Sequence, residues 1–235
     1  MRKLLLVSTS STYNSGYLEH CEQAVIKHFM GIKKITFIPF ARPSGITEKI
    51  YTEKVRQRFN DFGIEVVGLN EVDDKIELIN KSEGVFTGGG NTFLLLTKLI
   101  ELNLIESLRK KIYEGMPYMG TSAGSNIAGL TIGTTNDMPI IYPPSFNALG
   151  VVRFNLNPHY LDPIEGSTHM GETRETRIKE FHFHNDQPVI GLREGSWLEI
   201  IDEKIELGGK LSARLFKRNS QAIEIEGNLN FIENW

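Results

Sequence analysis

Short apolar runs alternate with longer amphipathic ones along the first half of the chain. KLLLVS, starting at Lys3, reads as a first strand, and residues 17–29 then place Leu18, Cys21, Val25 and Phe29 at helical spacing. KITFIPF predicts a second strand. Thr47 to Phe62 predicts a charged amphipathic helix closed by Gly63, and IEVVGL a third strand. GVFTGGG is a strand that runs into glycines, followed at once by the helical pattern NTFLLLTKLIELN. A further helix over Leu104 to Tyr113 leads through Gly115 and Pro117 to the strand PYMGT, after which a small-residue helix begins near Ala123.

Strands alternating with helices of this length imply a mostly parallel sheet flanked by helices on both faces, an α/β fold. Ligands in such sheets bind outside the carboxyl ends of the strands. The glycine turns at Gly88 to Gly90 and at Gly120 to Gly124 both fall at such ends. Beyond Gly129 the pattern loosens. TIGTTNDMPIIYPPSFNALG, with three prolines, reads as loop, VVRFNLNPHY as strand and GETRETRIKEFHFHN as helix. The final third reads as strands and hairpins. No repeat, low-complexity tract or linker interrupts residues 1–235, so a single domain is expected.

Composition narrows the classes. The chain has 235 residues, 40% hydrophobic and 23% charged, enough for one substantial core. A net charge of −3 gives no basic footprint for nucleic acid or anionic lipid. The one cysteine, Cys21, excludes an intrachain disulfide and falls in an apolar helical pattern, as a buried thiol would. In MRKLLLVSTSS the apolar part is too short for a signal-peptide core. No run approaches the roughly 18 apolar residues of a membrane span, and a soluble cytoplasmic protein is the expectation.

Gly120-Thr121-Ser122-Ala123-Gly124 fits G-x-S-x-G in a strand–turn–helix context. A sharp turn there projects a serine clear of the backbone and frees the next N–H to bind an oxyanion. Such a serine needs a base. Of the six histidines, His20 and His28 lie on the first predicted helix and His169 in a polar loop. His182 and His184 alternate in FHFH, as packing or surface residues do. His159, after Pro158 at the end of an apolar run, is the favoured candidate. The base needs a carboxylate to fix its tautomer, and Asp137 in TTNDMPI and Glu194 in GLREGSW both sit in turns at the edge of structured segments. Gly88 to Gly90, followed by Asn91 and Thr92 at a helix start, offers N–H groups for a phosphate or for half of an oxyanion hole. No Walker lysine, G-x-G-x-x-G, Cys/His cluster or H-E-x-x-H is present, so neither cofactor nor metal is expected.

FIPF, GGGNTF, GTSAGSN, TTNDMPI, NPHY, GETRETRI and GLREGSW occur in this order. With them the chain resembles the serine peptidase family of peptidase E, the aspartyl dipeptidase, which also includes cyanophycinase. The resemblance implies a flavodoxin-like or class I glutamine-amidotransferase-like three-layer sandwich. It implies Ser122 as nucleophile, His159 as base, and Gly90 and Ala123 N–H groups as the oxyanion hole. Asp137 and Glu194 both match positions proposed for the acid, and the one not used would serve the substrate, for example its α-amine. Arg174 in GETRETRI would hold the carboxylate of an N-terminal aspartate, with Arg177 one turn away as the alternative. Thr121 departs from the Trp of the closest members, which bears on substrate preference. The implied activity is hydrolysis of dipeptides with N-terminal aspartate. The rivals are a related hydrolase of isoaspartyl or cyanophycin-type dipeptides and a silent domain that binds a small carboxylate. The implied partner is a small peptide substrate, without nucleic acid or membrane.

Overall fold

The computed structural model describes residues 1–229 except 165, 167 and 169, so His169 lies outside the described residues. The first half runs β1 (Lys3–Val7), α1 (Glu22–His28), β2 (Lys34–Ile38), α2 (Glu48–Asn60), β3 (Glu65–Gly68) and α3 (Lys75–Lys81). It continues with β4 (Val85–Thr87), α4 (Thr92–Glu101), α5 (Leu104–Tyr113), β5 (Tyr118–Thr121) and α6 (Ala123–Asn126). The second half adds β6 (Asn155–Pro158), α7 (Arg174–Phe181), β7 (Val189–Leu192), β8 (Ser196–Ile201), β9 (Lys204–Gly209), β10 (Ala213–Phe216) and β11 (Ile223–Ile225).

A seven-stranded sheet has the order β3-β2-β4-β5-β1-β8-β9. Its first five strands are parallel, and β8 and β9 extend it antiparallel from β1. The period of two along β1 sorts side chains between two cores. Leu5 and Val7 pack with Val25, Tyr51, Val55 and Phe59 of α1 and α2. Leu4 and Leu6 pack on the opposite face with Leu95, Leu99, Leu108 and Ile112 of α4 and α5. Burial on both faces is why these strands read as continuous apolar runs rather than as alternating ones. The expected α/β sandwich is present.

A second sheet of four strands, β11-β10-β7-β6, was not expected as a separate unit. Leu156, Ile190 and Leu215 from its strands join the core under α4 and α5, so it packs onto the main sandwich. The Asn126 side-chain amide donates to Leu156 O at 2.7 Å and ties α6 to β6.

Several boundaries differ from the sequence reading. The first helix begins at Glu22, not at residue 17, because Leu18 takes φ 58° and its N–H bonds Ser10 O at 2.7 Å. Leu18 and Cys21 are nonetheless buried, and burial pushes the Cys21 thiol up to about 12. Strand β2 stops at Ile38, before Pro39, which has no N–H for the ladder. The reading leaves residues 75–81 unassigned, yet they form α3, whose start is capped by Asp74 accepting from the Glu77 N–H at 2.8 Å. Helix α7 ends at Phe181, and the FHFH histidines fall beyond it.

Candidate active site

Strand β5 delivers Ser122 to a turn with φ 51° and ψ −111°, a conformation costly for a residue with a Cβ. Its N–H bonds Val7 O at 3.1 Å, and its carbonyl accepts from the N–H groups of Ser125 and Asn126, both at 2.9 Å. Tyr118 Oη donates to Gly124 O at 2.7 Å, closing the turn from below. The flanking glycines answer to close backbone approach. A Cβ on Gly120 would stand 2.3 Å from Gly124 O, and one on Gly124 would stand 2.2 Å from Thr87 O. The turn cannot be this tight with larger residues, and Ser122 is left half-buried at its tip.

His159 follows β6 directly and takes φ 56°. Its N–H donates to Ser8 Oγ at 2.9 Å, while Ser8 Oγ donates to Leu192 O at 2.7 Å. The backbone of His159 is therefore pinned before its ring makes any contact. The ring places Nε2 at 2.9 Å from Ser122 Oγ and Nδ1 at 2.6 Å from Glu194 Oε1. A carboxylate at Nδ1 favours the proton there and leaves the Nε2 lone pair for the serine hydroxyl. Strands β6 and β7 are parallel with Pro158 opposite Leu192, so the residues just past their ends, His159 and Glu194, emerge side by side.

Asp137 is not on His159. Its Oδ2 accepts from the Thr92 N–H at 2.7 Å, at the start of α4, and from Thr135 Oγ1 at 3.1 Å. It does share a small cleft with Ser122, Asn126, Asn136 and His159. Asn126 is fully buried, and its Oδ1 has no hydrogen-bond partner among the described residues. The cleft thus offers an unfilled acceptor at Asn126 Oδ1.

The triple glycine lies against the serine: a Cβ on Gly89 would stand 3.0 Å from Ser122 Cβ. Accounting for its N–H groups isolates one. Gly88 N–H bonds Ile38 O at 3.1 Å and Asn91 N–H bonds Ala41 O at 2.7 Å. Gly89 N–H bonds Tyr51 Oη at 3.0 Å, and Thr92 N–H bonds Asp137. Gly90 N–H has no partner among the described residues, nor does the Ala123 N–H at the first position of α6. Gly90 has φ 147°, and a Cβ there would meet Ala41 O at 2.1 Å.

Arg174 opens α7, and its neighbour Arg177 is exposed. Arg174 does not line the Ser122 cleft. It borders a separate, open cavity with Asp162, Glu172 and Arg177. No described residue gives its guanidinium a hydrogen bond or ion pair. Burial first and Arg177 second pull its pKa below the ordinary arginine value, while the charge of Asp137 acts the other way. Glu175, next along the helix, pairs with Arg214 at 3.0 Å, and Arg214 also reaches Asp162, which Arg193 beside Glu194 holds at 2.7 Å.

None of the other described histidines hydrogen-bonds a member of this row; burial lowers the pKa of His20, while the charge of Glu194 acts the other way. His28 is buried under β1, and His182 is buried with Nε2 at 3.0 Å from Gln187 O. His184 is exposed, and His20 packs edge-on to Trp197 at 6.4 Å. Thr121 is fully buried at the end of β5 with Oγ1 unpartnered. Sequence reasoning missed Ser8, Asn126 and Tyr51. Asn126 lies within the GTSAGSN motif and could have been singled out, whereas Ser8 and Tyr51 carry no local signal. Among the described residues no cluster of His, Cys, Asp and Glu could hold a metal, and no helix is long and apolar enough to cross a membrane.

Comparison with known proteins places the chain. The family model "Peptidase family S51" matches residues 4–208. Peptidase E of Streptomyces coelicolor is 47% identical over 222 residues, 94% of this chain and 90% of that protein. A probable alpha-aspartyl dipeptidase of Drosophila melanogaster is 43% identical over 227 residues, 95% of this chain and 93% of the relative. Two crystal structures share the fold. A putative peptidase E from Listeria monocytogenes has a TM-score of 0.66 at 20% identity, covering 90% of this chain and 100% of its own. A peptidase from an acI-B1 actinobacterium has a TM-score of 0.71 at 17% identity, covering 97% and 95%. With the family model spanning most of its length and relatives this similar over nearly all of it, the chain belongs to peptidase family S51.

Proposed function

We propose that this chain is a serine dipeptidase that releases N-terminal aspartate from Asp-Xaa dipeptides. The observation that carries the reading is the row Ser122–His159–Glu194, with contacts of 2.9 Å and 2.6 Å. The proton of Ser122 Oγ passes to His159 Nε2 as Oγ attacks the aspartyl carbonyl. The carbonyl oxygen becomes an oxyanion held by the Gly90 and Ala123 N–H groups, each such donor being worth about 3–4 kcal/mol. His159 returns the proton to the departing amine. It then takes a proton from water, whose oxygen attacks the ester, and gives that proton to Ser122 Oγ as the ester bond breaks and aspartate leaves.

Selection of aspartate falls to Arg174. A partly desolvated guanidinium with no internal partner favours a ligand carboxylate, and an uncharged side chain would leave that charge unpaired. Asp137 and the unfilled Oδ1 of Asn126 are the acceptors for the free α-ammonium, which would restrict cleavage to the first peptide bond. The names of the relatives, peptidase E and alpha-aspartyl dipeptidase, support the same substrate class.

The test is hydrolysis of Asp-Leu by the wild-type protein and by Ser122→Ala, beside Glu-Leu, Ala-Leu, isoAsp-Leu and N-acetyl-Asp-Leu. Cleavage of Asp-Leu alone, lost in the alanine variant, is the expected result. Preference for isoAsp-Leu would move the chain to the related isoaspartyl reading. No hydrolysis by well-folded protein would overturn the enzymatic proposal and leave a carboxylate-binding domain.

A further inference from the structure

Three glycines in a row make a poor frame for a catalytic donor. Without side chains each peptide plane turns freely, and a rotation at residues 89–90 would re-aim the Gly90 N–H. Something outside the turn has to hold it. The two neighbouring peptides are held from opposite sides. The Gly89 N–H is anchored by Tyr51 Oη at 3.0 Å, and the Asn91 N–H by Ala41 O at 2.7 Å. The peptide that carries the Gly90 N–H lies between these two anchors.

Tyr51 comes from α2. It is fully buried, with Phe37 edge-on to its ring at 5.0 Å and the Arg42 guanidinium over its face at 5.0 Å. A Cβ on Gly88 would stand 2.6 Å from Tyr51 Oη, so the turn is seated on the phenol with no room between them. We infer that Tyr51 is a positioning residue for the oxyanion hole: its phenol oxygen takes the Gly89 N–H so that the Gly90 N–H is the one left facing Ser122. The inference rests on the reading of Ser122 as nucleophile and adds a requirement to it. If Gly89 lost its acceptor, a buried N–H would be left unsatisfied, and the glycine turn would rotate to find another.

Tyr51→Phe removes one oxygen and keeps the ring. Its kcat on Asp-Leu is expected to fall roughly tenfold to hundredfold, less than full removal of a donor, with KM within about twofold. Affinity for an aspartyl aldehyde, which forms a tetrahedral adduct with Ser122, should fall in parallel, while affinity for free aspartate stays unchanged. In protein labelled with 15N-glycine, the Gly89 amide should be protected from exchange in the wild type and unprotected in the variant. A merely structural role would lower the melting temperature and leave kcat per folded molecule and aldehyde affinity intact, which would overturn the inference. So would a Gly89 amide that exchanges as fast as that of Gly90 in the wild type, a result that needs no variant to fold. If the wild type cleaves no aspartyl dipeptide while the exchange pattern follows Tyr51, the substrate proposal fails and the anchoring of the turn stands.

Discussion

Replacing Glu194 with alanine takes the carboxylate from Nδ1 of His159 and leaves Ser122, the proposed oxyanion donors Gly90 and Ala123, and Asp137 in place. The contact is 2.6 Å, but the Glu194 side chain is 56% exposed and that of His159 37%. Solvent screens such a pair, so its direct electrostatic contribution is about 1 kcal/mol or less. The larger effect is on tautomer and ring orientation. In a buried Ser-His-Asp arrangement, loss of the correct tautomer costs about 10⁴ in rate. Here water can replace the exposed carboxylate, and the His159 backbone keeps its own anchor to Ser8 Oγ at 2.9 Å. The expected fall in kcat/KM for Glu194→Ala is therefore roughly hundredfold to thousandfold, or about 3–4 kcal/mol at the transition state. The assay is kcat/KM on Asp-Leu for Glu194→Ala, Glu194→Gln and Asp137→Asn side by side, each shown folded by its melting temperature. Asp137→Asn should act mainly through KM, because Asp137 touches Thr92 and Thr135 rather than the base. If Glu194→Ala stayed within threefold of wild type while Asp137→Asn lost a hundredfold in kcat, the assignment of the acid would be refuted.

Two further outcomes follow from burial. Gly90→Ala would place a methyl 2.1 Å from Ala41 O, so it should cost about 1–3 kcal/mol by overpacking and lower kcat further than Tyr51→Phe does. A wild-type kcat in that variant would remove Gly90 from the oxyanion hole. His28 is depressed from 6.5 to about 3, by burial first and by the charge of Lys3 second. Between those values the unfolded chain holds one more proton at this site than the folded one. This site therefore leaves stability intact above pH 6.5 and erodes it by about 1.4 kcal/mol per pH unit as the pH falls toward 3. Urea unfolding of His28→Gln at about pH 7 and about pH 5 should show a loss roughly 2 kcal/mol smaller than that of wild type, and equal losses would sink the argument.

What the sequence discloses about this site depends on how far apart the partners lie along the chain. Ser122 is legible because its task is local: strand, glycine, serine, glycine and helix are contiguous, and the clashes that demand Gly120 and Gly124 come from the start of α6 and from the adjacent β4. Glu194 and Asp137 look alike in the sequence, each an acid in a turn. What separates them is the pairing of Pro158 with Leu192 across β6 and β7, a register no short window contains. The helix expected from residue 17 fails for a related reason, since Leu18 and Cys21 are buried as the periodicity requires, yet a bond from Leu18 to Ser10 turns the backbone out of the helix. The glycine turn lies between these cases. Gly88 to Gly90 announce a donor site, but which glycine keeps its N–H free is decided by acceptors on Tyr51 and Ala41, residues with no mark of function in the sequence. Their acceptor atoms do the selecting, and at Ala41 that atom is a backbone carbonyl any residue would supply. Tyr51 is different, because the acceptor is its side chain. Of the two anchors it alone can be removed by one substitution that leaves the packing intact.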